Sequence, residues 1–219
     1  MDILKNKYAK SIALLLVTAL FSVLAAVVDR QPIGVNDTVV GFATLNGAFK
    51  DIAPYNHFMD IISDVMMILS FLVVAFFAFT GAVILIRTKN IKKVGKVILG
   101  LGVLYIVVAV IYILFDKIPI NYRPIIPPGK TKLQTSFPST HTLIICSVMG
   151  SAYLAWEKVL RDKNIVKVLK IVCIVVIVVG VISRAFAGVH WLTDIIAGIL
   201  FSMTLISLYS ACSLNESAR

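Results

Sequence analysis

Nothing in this chain of 219 residues points to a scaffold held by disulfides or metals. The three cysteines, Cys146, Cys173 and Cys212, all lie inside apolar runs, and no two have the spacing of metal ligands. They read as small buried hydrophobes. There is no internal repeat and no low-complexity tract, so residues 1–219 read as a single domain. The apolar runs are continuous and do not alternate with polar residues. That excludes a transmembrane barrel, whose strands would alternate. Charge is thin too: 15% of residues are charged, with 11 acidic against 21 basic. The net charge of +10 would suggest nucleic acid in a soluble chain. Here the cations fall in short segments between apolar runs, where they set orientation and meet anionic head groups. Nucleic acid is therefore not expected as a partner.

What is abundant is apolar length. The chain is 59% hydrophobic, with a mean hydropathy of +0.97, where a soluble domain has roughly half its residues apolar. A spanning helix needs about 20 mostly apolar residues. Six segments qualify, near residues 11–28, 61–86, 97–115, 138–156, 168–187 and 191–212. The expected fold is all-α: a polytopic membrane protein with six transmembrane helices in one bundle. The first segment is read as an uncleaved span, since no small-x-small cleavage site precedes Asp29. Lys5, Lys7 and Lys10, the cluster Arg87 to Lys96 and the cluster Lys158 to Lys170 fall on one side. By the positive-inside rule that side is cytoplasmic, with both termini on it. The Lys- and Ile-rich composition suggests a bacterial plasma membrane. In the first outer loop, residues 40–52 carry Phe42, Leu45, Phe49 and Ile52 near helical spacing. They suggest a short helix lying at the interface.

Polar residues of one chemical type gather where apolar runs meet the outer loops. His190 and Asp194 are four apart. On a helix they would share a face, and a carboxylate bonded to one imidazole nitrogen raises the basicity of the other. The plainer alternative is an aspartate that caps the sixth helix beside a chance histidine. Arg184 ends the fifth span on the same side, with a planar fork suited to a tetrahedral phosphate; taken alone it is a snorkelling arginine. Pro138-Ser139-Thr140-His141 opens the fourth helix, where free backbone N–H groups and the dipole make a ready anion site. Ser139 is placed to cap, and His141 to act as a general acid. Arg123, held extended by Pro124, and Lys117 would add positive charge. His57 has no motif around it and reads as incidental. Beyond Asp194, no cluster of carboxylates and histidines suggests a metal. Neither a metal nor another cofactor is expected.

These blocks resemble the three-part signature of the type 2 phosphatidic acid phosphatases, in the vanadium haloperoxidase superfamily. The third part, Ser-Arg-x3-Gly-x-His-x3-Asp, is complete in Ser183, Arg184, Gly188, His190 and Asp194. The second, Pro-Ser-Gly-His, reads Pro138-Ser139-Thr140-His141, with threonine for glycine. The first, Lys-x6-Arg-Pro, keeps Arg123 and Pro124, but Lys117 is one residue too close and Asp116 stands in its place. The likeness is carried by residues 117–194. It implies metal-independent hydrolysis of a lipid phosphate or diphosphate on the extracytoplasmic side. In that mechanism His190 is the nucleophile that becomes a phosphohistidine, Asp194 orients it, and His141 is the acid and then the base. Arg123, Arg184, Ser139 and Lys117 would hold the phosphoryl oxygens. Undecaprenyl diphosphate, phosphatidylglycerophosphate and phosphatidic acid are the substrate types to expect. A lipid phosphotransferase, or an inactive transporter or scaffold of the same fold, stands as the alternative. The sequence does not fix an oligomeric state.

Overall fold

The computed structural model describes residues 2–214, with side chains from Tyr8 onward. Lys5 and Lys7 lie outside the described side chains. Eight α-helices follow one another: α1 (Asp2–Val27), α2 (Ala43–Ile52), α3 (His57–Thr88), α4 (Ile91–Val94), α5 (Lys96–Lys117), α6 (Thr140–Val159), α7 (Lys163–Phe186) and α8 (Leu192–Ser213). All six expected spans are helices, and the outer-loop segment forms α2. The class is all-α and the protein is a multi-pass membrane protein.

The count of six apolar spans needs correction. Among the described residues, five helices, α1, α3, α5, α7 and α8, are long and apolar enough to cross a membrane. The fourth expected span, α6, is the enclosed one. It packs against α3, α5, α7 and α8 and buries Thr142, Ser147 and Ser151 among its apolar residues. A helix wrapped by protein meets side chains rather than lipid, so it tolerates hydroxyls that a lipid-facing helix would not. Its far half fills the main core, where Trp156 stacks on Phe77 at 4.7 Å and donates to Cys173 Sγ at 3.4 Å.

Hydroxyls also join the helices where apolar surfaces alone would not hold a register in lipid. Thr18 on α1 meets Thr204 on α8 at 2.9 Å, and Ser147 on α6 donates to Ser202 on α8 at 3.1 Å. Close to the site, α6 and α8 approach at Gly198, where a Cβ would stand 2.9 Å from Thr142 Cβ and 3.1 Å from the Ser139 carbonyl.

Chain direction gathers the motifs. The end of α1, the starts of α3, α6 and α8, and the ends of α5 and α7 lie at one end of the bundle. Backbone bonds tie them there: Asn56 N to Ala187 O at 3.1 Å and Ser139 N to Asp194 O at 3.0 Å. With 32 residues, α3 is about 48 Å long and outruns a hydrocarbon core of roughly 30 Å. Its first turns therefore reach into the interface.

Candidate active site

The third block folds into a turn. His190 precedes α8, and Asp194 sits in the first turn of that helix, so the expected shared helical face is replaced by a tighter arrangement. Gly188 makes the turn possible. Its φ is +68°, and a Cβ there would stand 2.6 Å from the Pro54 carbonyl carbon and the Tyr55 nitrogen. Both alternatives for Asp194 hold at once: it caps the helix and it serves the histidine. Its Oδ2 accepts from Trp191 N at 2.9 Å and from the Ser136 hydroxyl in a short bond. Its Oδ1 accepts from Asn121 Nδ2 at 3.4 Å. The carboxylate is 0% exposed, so these donors replace the water it has lost.

The His190 tautomer follows from proton bookkeeping. Nδ1 lies 3.1 Å from Ser136 Oγ and 3.6 Å from Asp194 Oδ2. Ser136 has one proton, and it goes to Asp194. Its oxygen therefore accepts from Nδ1–H, and Nε2 keeps the lone pair. The carboxylate acts mainly through Ser136, where a direct histidine–aspartate bond was expected. Burial, then the charges of Arg184, Arg123 and His141, hold the imidazole well below its usual pKa of 6.5. A neutral ring with a free Nε2 is what a nitrogen nucleophile requires.

Two side chains on α3 face this group. Arg184 at the end of α7, 1% exposed, donates from Nη1 to Asp60 Oδ1 at 2.6 Å and to Ser63 Oγ at 3.3 Å. His141, in the first turn of α6, places Nε2 2.7 Å from Asp64 Oδ1. Ser139 takes the N-cap position of α6 as expected, but its hydroxyl makes no cap bond; it accepts from Thr142 Oγ1 at 3.1 Å.

Arg123 is placed by the loop between α5 and α6. An antiparallel bridge pairs Tyr122 with Thr135, Arg123 N donates to Gln134 O at 3.0 Å, and Trp191 Nε1 donates to Tyr122 O at 2.6 Å. Burial pulls its pKa down, and Asp60, Asp194, Tyr112 and Asp64 oppose that. Lys117 is not drawn in. Its side chain is 76% exposed and pairs with its neighbour Asp116 at 3.6 Å.

Among the described residues, five buried side-chain nitrogen or oxygen atoms lack a hydrogen-bond partner, and four of them belong here: Arg123 Nε, His141 Nδ1, Arg184 Nε and His190 Nε2. Folded proteins pair nearly all such groups, so this concentration marks a place built to meet an external ligand: the two arginine Nε–H groups are donors, and the two imidazole nitrogens carry lone pairs. No three His, Cys, Asp or Glu side chains among the described residues are grouped to hold a metal ion. The polar donors suit an anion.

Reading the sequence missed Ser136, Asn121, Asp60 and Asp64. Only the last two left a signal: two carboxylates four apart at the head of a long apolar run, where ionised residues are rare and usually functional.

No curated protein matches the chain in sequence. Among solved structures, the chain resembles the first transmembrane PAP2-type phosphatidylglycerolphosphate phosphatase from Bacillus subtilis, with a TM-score of 0.60 and 20% identity. The likeness covers 92% of this chain and 94% of that one, and it carries the fold. The PAP2 superfamily model matches residues 116–217, which hold all three sequence blocks and most of the site. Over these residues the chain is similar to the PAP2 superfamily, in line with the resemblance read from the three sequence blocks.

Proposed function

We propose that this protein is a phosphatase that hydrolyses a phosphate monoester or diphosphate of a membrane lipid. The observation that carries the reading is the neutral, buried His190, with Nε2 unpaired and Arg184, Arg123 and His141 acting on it.

His190 Nε2 attacks phosphorus, and the bond to the lipid oxygen breaks. His141 gives its proton to that oxygen through Nδ1, since Nε2 is engaged by Asp64. A phosphohistidine remains. His141 then takes a proton from water, the water oxygen attacks phosphorus, and inorganic phosphate leaves with the return of Nε2 to its starting state. Arg123 and Arg184 offset the charge gathered on the phosphoryl oxygens. Ser139 stands at the start of α6 on the same side. Asp194 holds Ser136 and thereby the Nδ1–H tautomer. Lys117, exposed and turned to Asp116, has at most an accessory part. The cations are side chains, and the reading needs no metal.

Lipid substrates fit because the site lies at the end of lipid-facing helices, so a tail can stay in the bilayer while the head group enters. Phosphatidylglycerophosphate leads the candidates by the likeness to the Bacillus subtilis enzyme, ahead of undecaprenyl diphosphate and phosphatidic acid. Lys10 and the clusters Arg87 to Lys96 and Lys158 to Lys170 fall at the end away from the site. That supports cytoplasmic termini and an outward-facing site in a bacterial plasma membrane.

The test is phosphate release by purified protein from a panel of lipid mono- and diphosphates. Release is expected with EDTA present and to be inhibited by vanadate. No release from any member of the panel, or loss in EDTA restored by Mg²⁺, would overturn the activity or its metal independence respectively. Phosphate recovered on an acceptor in place of free phosphate would mark a transferase.

A further inference from the structure

We propose that Asp64 and Asp60 on α3 are positioning residues, Asp64 for His141 and Asp60 for Arg184. This rests on the phosphatase reading of the same site. The two carboxylates are one helical turn apart and so share a face. Each contacts a different member of the cluster: Asp64 Oδ1 meets His141 Nε2 at 2.7 Å, and Asp60 Oδ1 meets Arg184 Nη1 at 2.6 Å. The Asp64 contact decides which imidazole nitrogen is available. A carboxylate accepts, so Nε2 carries the proton in the neutral ring, and Nδ1, buried and unpaired, is left to exchange protons with the substrate. Asp64 also favours the protonated ring, the form needed to protonate the leaving oxygen. Asp60 holds one arm of the guanidinium and, with Ser63 at 3.3 Å, leaves Nε unpaired.

Carboxylates so close to an anion site repel the substrate. Their retention makes sense if orientation gains more than repulsion costs. Burial, then Arg184 and Arg123 on other elements, disfavour the protonated His141 ring and Asp60 opposes them, so the Asp64 effect acts against burial and those charges.

The experiment compares Asp64→Asn, Asp64→Ala and Asp60→Asn with wild type in kcat, KM and pH profile. Asp64→Asn should lower kcat by about 10- to 100-fold with KM nearly unchanged, and move the alkaline limb of kcat to lower pH. Asp64→Ala should fall further. Asp60→Asn should act mainly on KM. Unchanged kcat and profile in both Asp64 variants, with wild type active, would refute the assignment and leave the phosphatase reading standing. Tighter substrate binding in Asp60→Asn would show the carboxylate to be only a competitor for the clamp, overturning its positioning role. An inactive wild type would sink the function itself. Melting temperatures of the variants separate misfolding from lost positioning.

A different observation carries a second proposal: the cleft between the end of α6 and the start of α7 is a binding site for an anionic phospholipid head group. It lies one helix length, about 30 Å, from His141. The cleft encloses ≈ 1070 Å³ and is lined by Lys158, Arg161, Lys163, Lys167 and Lys170 against one acid, Glu157. Lys170 pairs with Glu157 and lies 4.6 Å over the Tyr153 ring. Arg161, Lys163 and Lys167 have no ion pair among the described residues. Ile171 and Ile174 of the lipid-facing α7 form the wall, so an occupant with acyl chains fits better than a free anion. Basic pockets between spans on this side bind such head groups in other proteins.

The probe is phosphatidylglycerol, a phosphodiester and so no substrate for a monoesterase. In nanodiscs it should raise Tm above that in phosphatidylcholine by about 4 °C. Arg161→Gln/Lys163→Gln/Lys167→Gln should lose most of the rise. Lys89→Gln/Lys92→Gln/Lys93→Gln, equal in charge removed, should keep it. Equal losses in both triple variants would mean surface charge only, and stabilisation by inorganic phosphate as large as by lipid would mean a soluble anion site. Either result ends the proposal.

Discussion

The protein carries two imidazole–carboxylate pairs that differ in almost every physical respect. His190 and Asp194 are four residues apart, sealed from solvent and linked through the Ser136 hydroxyl. His141 and Asp64 are 77 residues apart and in direct contact, with the carboxylate 54% exposed. A sealed pair with a relayed proton keeps its ring neutral and its lone pair available. In the second pair only the carboxylate faces solvent, and the direct bond fixes the proton on Nε2 and leaves the buried Nδ1 as the nitrogen able to exchange one. In the proposed mechanism this difference in linkage suits His190 to the nucleophile's part and His141 to that of acid and base.

The sharpest way to break this contrast is to remove each ring in turn. His190→Ala should lower kcat on the order of 10⁴-fold or more, and His141→Ala about 10²- to 10⁴-fold. Single-turnover assays that trap labelled protein should find no phosphorylated intermediate in the first variant. Near-normal turnover of His190→Ala would rule out the assignment. Ser136→Ala tests the relay. It should cost roughly 10- to 100-fold in kcat with little change in KM, and an unaffected kcat would mean that Asp194 reaches His190 unaided.

Stability in acid should report on the sealed pair. The folded His190 pKa is depressed below 6.5 by burial, so the unfolded chain takes up a proton as pH falls through 6.5 and the folded chain does not. The contribution is complete above about pH 6.5 and is lost as pH falls further, with a slope of at most about 1.4 kcal/mol per pH unit. Melting in detergent between pH 8 and 5 should fall more steeply for wild type than for His190→Gln; parallel curves would mean that the ring titrates normally. The smallest effect is expected at Lys117. With an exposed side chain paired only to Asp116, Lys117→Gln should leave kcat/KM within roughly twofold. A hundredfold loss would bring this lysine into the site.

What could be read from sequence follows the reach of local geometry. The all-α membrane class, the helix positions and the His190 to Asp194 block were legible, because hydropathy and i, i+4 spacing act within one segment. The enclosed character of α6 was not, since its apolar residues read the same whether they face lipid or protein. Ser136 and Asn121 were hidden because an ordinary serine and asparagine in a loop gain meaning only from what packs on them. Asp60 and Asp64 sat in plain view at the head of α3, but which cation each would meet depends on the rotation of that helix against α6 and α7.

The sequence by itself determined that this chain lies in a membrane as helices, and that two histidines, two arginines and an aspartate stand at the ends of spans on one side. Those facts follow from apolar length and from the order in which helices reverse. Only the tertiary structure decided that Ser136 stands between His190 and Asp194, that α3 supplies both carboxylate partners, and that Lys117 stays outside. Contacts between helices depend on axial rotation and depth, and no spacing along a single chain segment encodes either.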